Sequence, residues 1–250
     1  MHLNGQASDP PVPVGMGVAD LVTGLNIVYA VLAGVIARGR TGRGQRLETD
    51  LLSSLIAFQA QEVGAYLASG RLPQRSDGGV SSPSTGAPYG LHRTTDGFLA
   101  IAMTPLKKLG DLIGLEGLES SEGLNDLSDR DATQRRIAAV IATRSTQEWL
   151  DLLLAADVWC APVQDYAAMA ADPQVVHNGT LVSFDHPLAG TITVPGPSVR
   201  FDDTPAAVRR RPPLLGEHGD EILRDVVGLD DEAIAALRAS GALGTAPANG

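Results

Sequence analysis

Cysteine is all but missing: Cys160 is the single thiol in 250 residues. An internal disulfide is excluded, and a reducing compartment is the expected setting. Basic residues are short as well, 19 Lys and Arg against 29 Asp and Glu, which leaves a formal charge of −10. The phosphate backbone of nucleic acid demands a basic face, so that partner class is not expected. A small anionic ligand stays open, because a local Arg or Lys pocket can sit inside an acidic protein. No leader is visible at Met1-His2-Leu3-Asn4-Gly5, which has neither a basic n-region nor an apolar h-region. A cytoplasmic location with no membrane partner is therefore expected. Leu21 to Ala37 is the one long apolar stretch; it is short for a bilayer span and carries Asn26, so a buried helix is expected there. His92, His177 and His186 lack metal-ligand spacing, and no metal site is expected.

What remains is an ordinary globular composition, 44% hydrophobic and 19% charged, long enough for one large domain or two small ones. Residues 1–17 are rich in Pro and Gly and read as loop. Apolar residues at 18, 21, 22, 25, 28, 29, 32, 35 and 36 keep the helical period, with Asp20 in the N-cap or first-turn region and Gly39 and Gly42 as closers. Gln45 to Asp50 alternates like a short strand, and a helix is predicted over Leu51 to Ala68, stopped by Gly70. Residues 70–90 form a Gly/Ser/Pro linker. A hairpin follows, Tyr89–Thr95 and Phe98–Ala102 around the turn Asp96-Gly97. Helices are predicted over Pro105–Ile113, Arg130–Thr143 and Thr146–Ala156, the last opened by Ser145 with Glu148 three residues on. Beyond Trp159 the texture changes to short extended pieces at 160–163, 191–194 and 199–201. Helices are then expected near Asp220–Val227 and Asp230–Ser240, and a frayed tail over 245–250. This pattern divides the chain into 1–70, 71–157 and 158–250.

Several stretches carry a resemblance. Gly17-Val18-Ala19-Asp20-Leu21-Val22-Thr23-Gly24 sets one carboxylate at the mouth of the apolar helix, which ends in Thr41-Gly42-Arg43-Gly44-Gln45. Tyr89-Gly90-Leu91-His92-Arg93-Thr94-Thr95-Asp96-Gly97, Thr146-Gln147-Glu148-Trp149, Val158 to Val163, Asp172-Pro173-Gln174 and Pro213-Leu214-Leu215-Gly216-Glu217-His218 follow in order. Each is weak alone. Together, and in this order, they resemble the class III CoA-transferases, the CaiB/BaiF group of formyl-CoA transferase-like enzymes. Two departures are Asp157-Val158-Trp159 in place of Gly-Val-Pro, and a glycine-rich loop diluted to Asp77-Gly78-Gly79-Val80.

The resemblance implies an α/β fold: part of a Rossmann-like large domain plus a small α+β domain, as in the interlocked fold of that family. Residues 1–70 would hold the catalytic helix, 71–157 the small domain, and 158–250 the return to the large domain. It implies that Asp20 is a nucleophile passing through an aspartyl anhydride and an aspartyl-CoA thioester, with acyl-CoA and a carboxylic acid as substrates and no permanent cofactor. Gly78 and Gly79 would belong to a loop that excludes water and holds an oxyanion; a plain interdomain linker is the alternative. Nineteen residues precede Asp20. The half that supplies most CoA contacts is thus expected from a separate subunit, in a homo- or hetero-oligomer.

Two other functions fit parts of the pattern. A related racemase would place a Glu just after the hairpin, where Ala102-Met103-Thr104-Pro105 offers no acid. A truncated remnant or assembly partner without catalysis would keep the motifs and lack activity. Thr41–Gln45 reads as a fold-defining turn. Cys160, with no basic neighbour in sequence, reads as an inert thiol. His218 beside Glu217 reads as a capping pair.

Overall fold

The computed structural model describes residues 3–118 and 129–244, so the tail expected over 245–250 lies outside the described residues. The chain divides into two compact units, Met1–Val163 and Gln164–Gly250. Both mix helices with small sheets.

In the first unit, the periodic apolar run forms α1, Val18–Thr41, closed by Gly42 in the left-handed conformation at φ 70°. Helix α2, Leu51–Phe58, starts where the Asp50 carboxylate accepts the Ser53 N–H. The single helix expected to Ala68 is broken at Gln59 (φ −99°, ψ 30°) and resumes as α3, Ala60–Ser69. Gln45–Asp50 forms no strand, because no neighbouring segment among the described residues offers it a ladder. The hairpin is present as β1, Gly90–Arg93, and β2, Phe98–Ile101, with Leu91 opposite Ala100. Helices α4, Leu106–Ile113, α5, Arg130–Ile141, and α6, Thr146–Ala155, follow. Strand β3, Cys160–Pro162, then joins the free edge of β2 antiparallel.

The core of this unit lies between that sheet and α4 to α6. Leu99, Ile101, Leu109, Ile137, Ile141, Trp149 and Leu153 are all buried in it. Trp149 is fully buried, and its indole N–H donates to the Ile141 carbonyl at 2.7 Å. The motif residues around this core work as caps. Ser145 and Glu148 make a reciprocal capping box at the start of α6. Asp96 in the hairpin turn accepts the Thr146 backbone N–H at 2.8 Å and its hydroxyl at 2.9 Å, which pins the hairpin to the same helix end.

Helix α1 departs from expectation. Only Thr23 in it is buried, while Leu21, Leu25, Val28, Leu32 and Ile36 are exposed. Helix α2 meets one side of it through the Asn26–Ser54 hydrogen bond, and no described element covers the rest. By length and composition alone the helix could cross a membrane. Such a test is also passed by core helices.

The second unit opens with two short helices that hydrophobic periodicity does not show, α7, Tyr166–Ala171, and α8, Pro173–His177. Asp165 and Asp172 cap them, and Pro173 sits at the first helical position of α8. A hairpin of β4, Leu181–His186, and β5, Gly190–Pro195, follows. Residues 199–201 are not a strand. Helix α9, Gly219–Ile222, continues into a π-helical turn over Leu223–Val227, and α10, Asp231–Ala239, buries Ile234.

Candidate active site

The N-terminal end of α1 is capped by Gly17, and Asp20 is the third residue of the helix. Asp20 therefore lies in the first turn without capping it. An anion there is favoured by the helix dipole and the unpaired N–H groups. The carboxylate is exposed and accepts no hydrogen bond from the described residues. It folds back over Gly17, where a Cβ would stand 2.9 Å from Asp20 Oδ2, so residue 17 has room for nothing larger than glycine unless the acid moves.

Asp20 opens into a cavity of about 370 Å³. Its walls come from Leu3, Asn4, Val14 and Met16 before the helix and from Leu55, Phe58 and Gln59 around the α2–α3 break. Phe58 and Gln59, which stand at the break itself, both belong to this lining. Among the described residues of this lining Asp20 is the sole charged one, and the walls are mostly apolar. Sequence alone does not reveal Asn4, Phe58 or Gln59, because they reach the site from separate segments before α1 and at the α2–α3 break and form no motif with Asp20.

Gly78 and Gly79 lie elsewhere in the unit and do not line the Asp20 cavity. A Cβ on Gly78 would stand 2.7 Å from Asp131 Cα, so this glycine permits close packing on the first turn of α5. Its N–H donates to Ser76 Oγ at 3.0 Å. Ser76 in turn donates to Asp131 at 2.5 Å. Gly79 adopts φ 92°, its carbonyl accepts from Gln134 at 3.5 Å, and its N–H has no partner among the described residues.

The other titratable candidates are structural. Burial pushes the Cys160 thiol up, away from the reactive thiolate. Burial likewise holds His92 below its ordinary value, with the hydrogen bond to the Pro88 carbonyl acting against it. His218 occupies the N-cap position of α9 without a side-chain cap, and its ring meets Glu221 at 3.1 Å. Among the described residues no three of His, Cys, Asp and Glu could hold a metal ion.

Glu217 is the anchor of its motif. It accepts hydrogen bonds from Arg211 and from the Leu214 N–H, and these bring it from an ordinary 4.5 down to about 2. A depressed carboxylate stabilises the fold above its ordinary pKa and loses that contribution as pH falls through the folded value. The 211–217 turn should therefore hold at neutral pH and loosen between pH 4.5 and about 2. A carboxylate titration by NMR should place the Glu217 midpoint near 2, and Arg211→Ala should raise it toward 4.5.

The geometry thus sets a first-turn aspartate beside a mostly apolar cavity, in a chain that mixes helices with small sheets. The particular family is given by comparison. The model of CoA-transferase family III matches residues 1–219, and the chain belongs to that family. It is 31% identical over 248 residues to a succinyl-CoA:glutarate CoA-transferase of Homo sapiens, covering 96% of this chain and 56% of that protein. A formyl-CoA:oxalate CoA-transferase of Rhodopseudomonas palustris is 30% identical over 268 residues, covering 96% of this chain and 62% of its own length. The crystal structure of a CAIB/BAIF family protein from Brucella suis superposes with a TM-score of 0.73 at 29% identity, over 90% of this chain and 59% of that one. The chain thus spans somewhat more than half the length of the relatives it matches.

Proposed function

We propose that the chain is the Asp20-bearing part of a CoA-transferase that moves CoA between an acyl-CoA thioester and a free carboxylic acid. One observation carries this reading. The acids of the other matching stretches, Asp96, Glu148, Asp172 and Glu217, are all engaged by backbone N–H groups, whereas Asp20 accepts no hydrogen bond from the described residues and faces a cavity. An unengaged carboxylate has its lone pairs available for attack.

In the proposed cycle, an Asp20 oxygen attacks the thioester carbon. The C–S bond breaks, CoA leaves as thiolate, and an aspartyl–acyl anhydride remains. The thiolate then attacks the aspartyl carbon, releasing the donor acid as carboxylate and leaving an aspartyl-CoA thioester. An incoming carboxylate repeats the two steps in reverse, which returns Asp20 and yields the new acyl-CoA. Both intermediates hydrolyse in water, so the apolar walls from Leu55, Phe58 and Met16 would slow a competing reaction. Neither loop glycine lines the Asp20 cavity, so an oxyanion role for Gly79, whose N–H has no partner among the described residues, requires the loop to close over Asp20, while Gly78 serves the loop's packing.

Residues 1–70 are then the catalytic segment of a partial Rossmann-like domain, and 71–157 the small α+β domain. A second polypeptide, or a second copy, covers the apolar side of α1 and supplies the CoA contacts in a cytoplasmic oligomer. Co-expression with the N-terminal half of a relative should restore CoA transfer that the chain alone lacks. Equal transfer by the chain alone would remove the need for that partner.

A further inference from the structure

Residues 4–12 have no regular structure, yet they carry the wall of the Asp20 cavity through Asn4. Within the segment Asn4 Nδ2 donates to the Val12 carbonyl and the Gln6 N–H to the Asp9 carboxylate, and one guanidinium gathers its backbone from outside. Arg75 donates to the backbone carbonyls of Asn4 at 2.6 Å, Asp9 at 2.5 Å, Pro10 at 3.3 Å and Ala7 at 3.5 Å. Few side chains other than arginine can do this, since five N–H donors in a rigid planar fork must meet four acceptors at once. The neighbouring residues complete the clasp: Ala7 N–H donates to the Ser76 carbonyl, and Ser8 N–H to the Asp77 carboxylate. On its other side the same tripeptide holds the glycine turn, because Ser76 Oγ accepts the N–H groups of Gly78 and Val80 and bonds Asp131.

We infer that Arg75 is a positioning residue for Asp20. It sets the cavity wall around the acid and links that wall to the Gly78–Gly79 turn, acting through the backbone of residues 4–10. This role rests on the proposed chemistry of Asp20 only for its consequence; the positioning itself is readable without turnover.

The test uses the full chain as wild type, Arg75→Ala and Arg75→Lys. Amide exchange over residues 4–12 and esterification of carboxylates by a small diazo reagent are read by mass spectrometry. Exposed Asp225 of the second unit is the internal reference, and α6 amides report the fold. Both variants should raise exchange over 4–12 about tenfold, since a lost clasp lowers the local opening free energy. Both should also change the Asp20:Asp225 labelling ratio about threefold or more, lysine failing to rescue because it lacks the fork. Faster exchange with an unchanged Asp20 ratio would make Arg75 merely structural and overturn the inference. Loss of α6 protection in both variants would make it a determinant of the whole unit and overturn it equally. If the chain assembled with the N-terminal half of a relative transfers CoA but takes no acyl group or CoA on Asp20, that would instead count against the nucleophile, leaving the positioning result intact.

Discussion

Asp20→Asn should abolish covalent acylation and CoA transfer, a loss of about 10³-fold or more, because the amide cannot attack a thioester or leave as a carboxylate. The change should be nearly silent in stability. Asp20 accepts no hydrogen bond from the described residues, so the loss is limited to its favourable place near the helix dipole, about 0.3–1 kcal/mol. A capping aspartate behaves otherwise, costing about 0.5–2 kcal/mol when removed and nothing in catalysis. Kinetics of the assembled enzyme and denaturation of the same protein separate the two roles.

The largest effect on stability is expected at Trp149→Ala. The ring is completely buried among Leu99, Ile101, Ile141 and Leu153, lies 4.8 Å from the Arg144 guanidinium, and satisfies the Ile141 carbonyl. Truncation opens a cavity and strands that carbonyl, a cost of about 3–5 kcal/mol. Against a domain stability of about 5–15 kcal/mol, this is a large share of the first unit's margin. Trp159 serves as the control. It is 70% exposed, and Trp159→Ala should shift the urea midpoint by no more than about 0.5 kcal/mol equivalent.

Much of the fold was legible because local chemistry decides it. The α1 period and its stop at Gly42, the Ser145–Glu148 box and the Asp96-Gly97 turn each act within a few residues of chain. The Asp172-Pro173 helix start and the Arg211–Glu217 clasp also act locally but were not read from the sequence; they show how motifs that carry a family resemblance can be mainly caps and turns. Features that depend on distant partners were not legible. The break at Gln59, the pairing of Leu181–His186 with Gly190–Pro195, and the absence of a strand at 45–50 are set by what each segment meets. The burial expected for α1 failed for the same reason: an apolar face states a need for cover, and the described residues do not meet it. Within the site, Asp20 stood out from its motif, whereas Asn4, Gln59 and Arg75 take their meaning only from the folded backbone.

The most direct measurement is peptide mass spectrometry of the assembled protein after brief exposure to acyl-CoA and quenching. A mass increase corresponding to the acyl group or to CoA should map to the peptide containing Asp20, and should vanish in Asp20→Asn. Full transfer activity with the adduct on another residue, or with Asp20→Asn as active as wild type, would contradict the assignment of Asp20 as nucleophile.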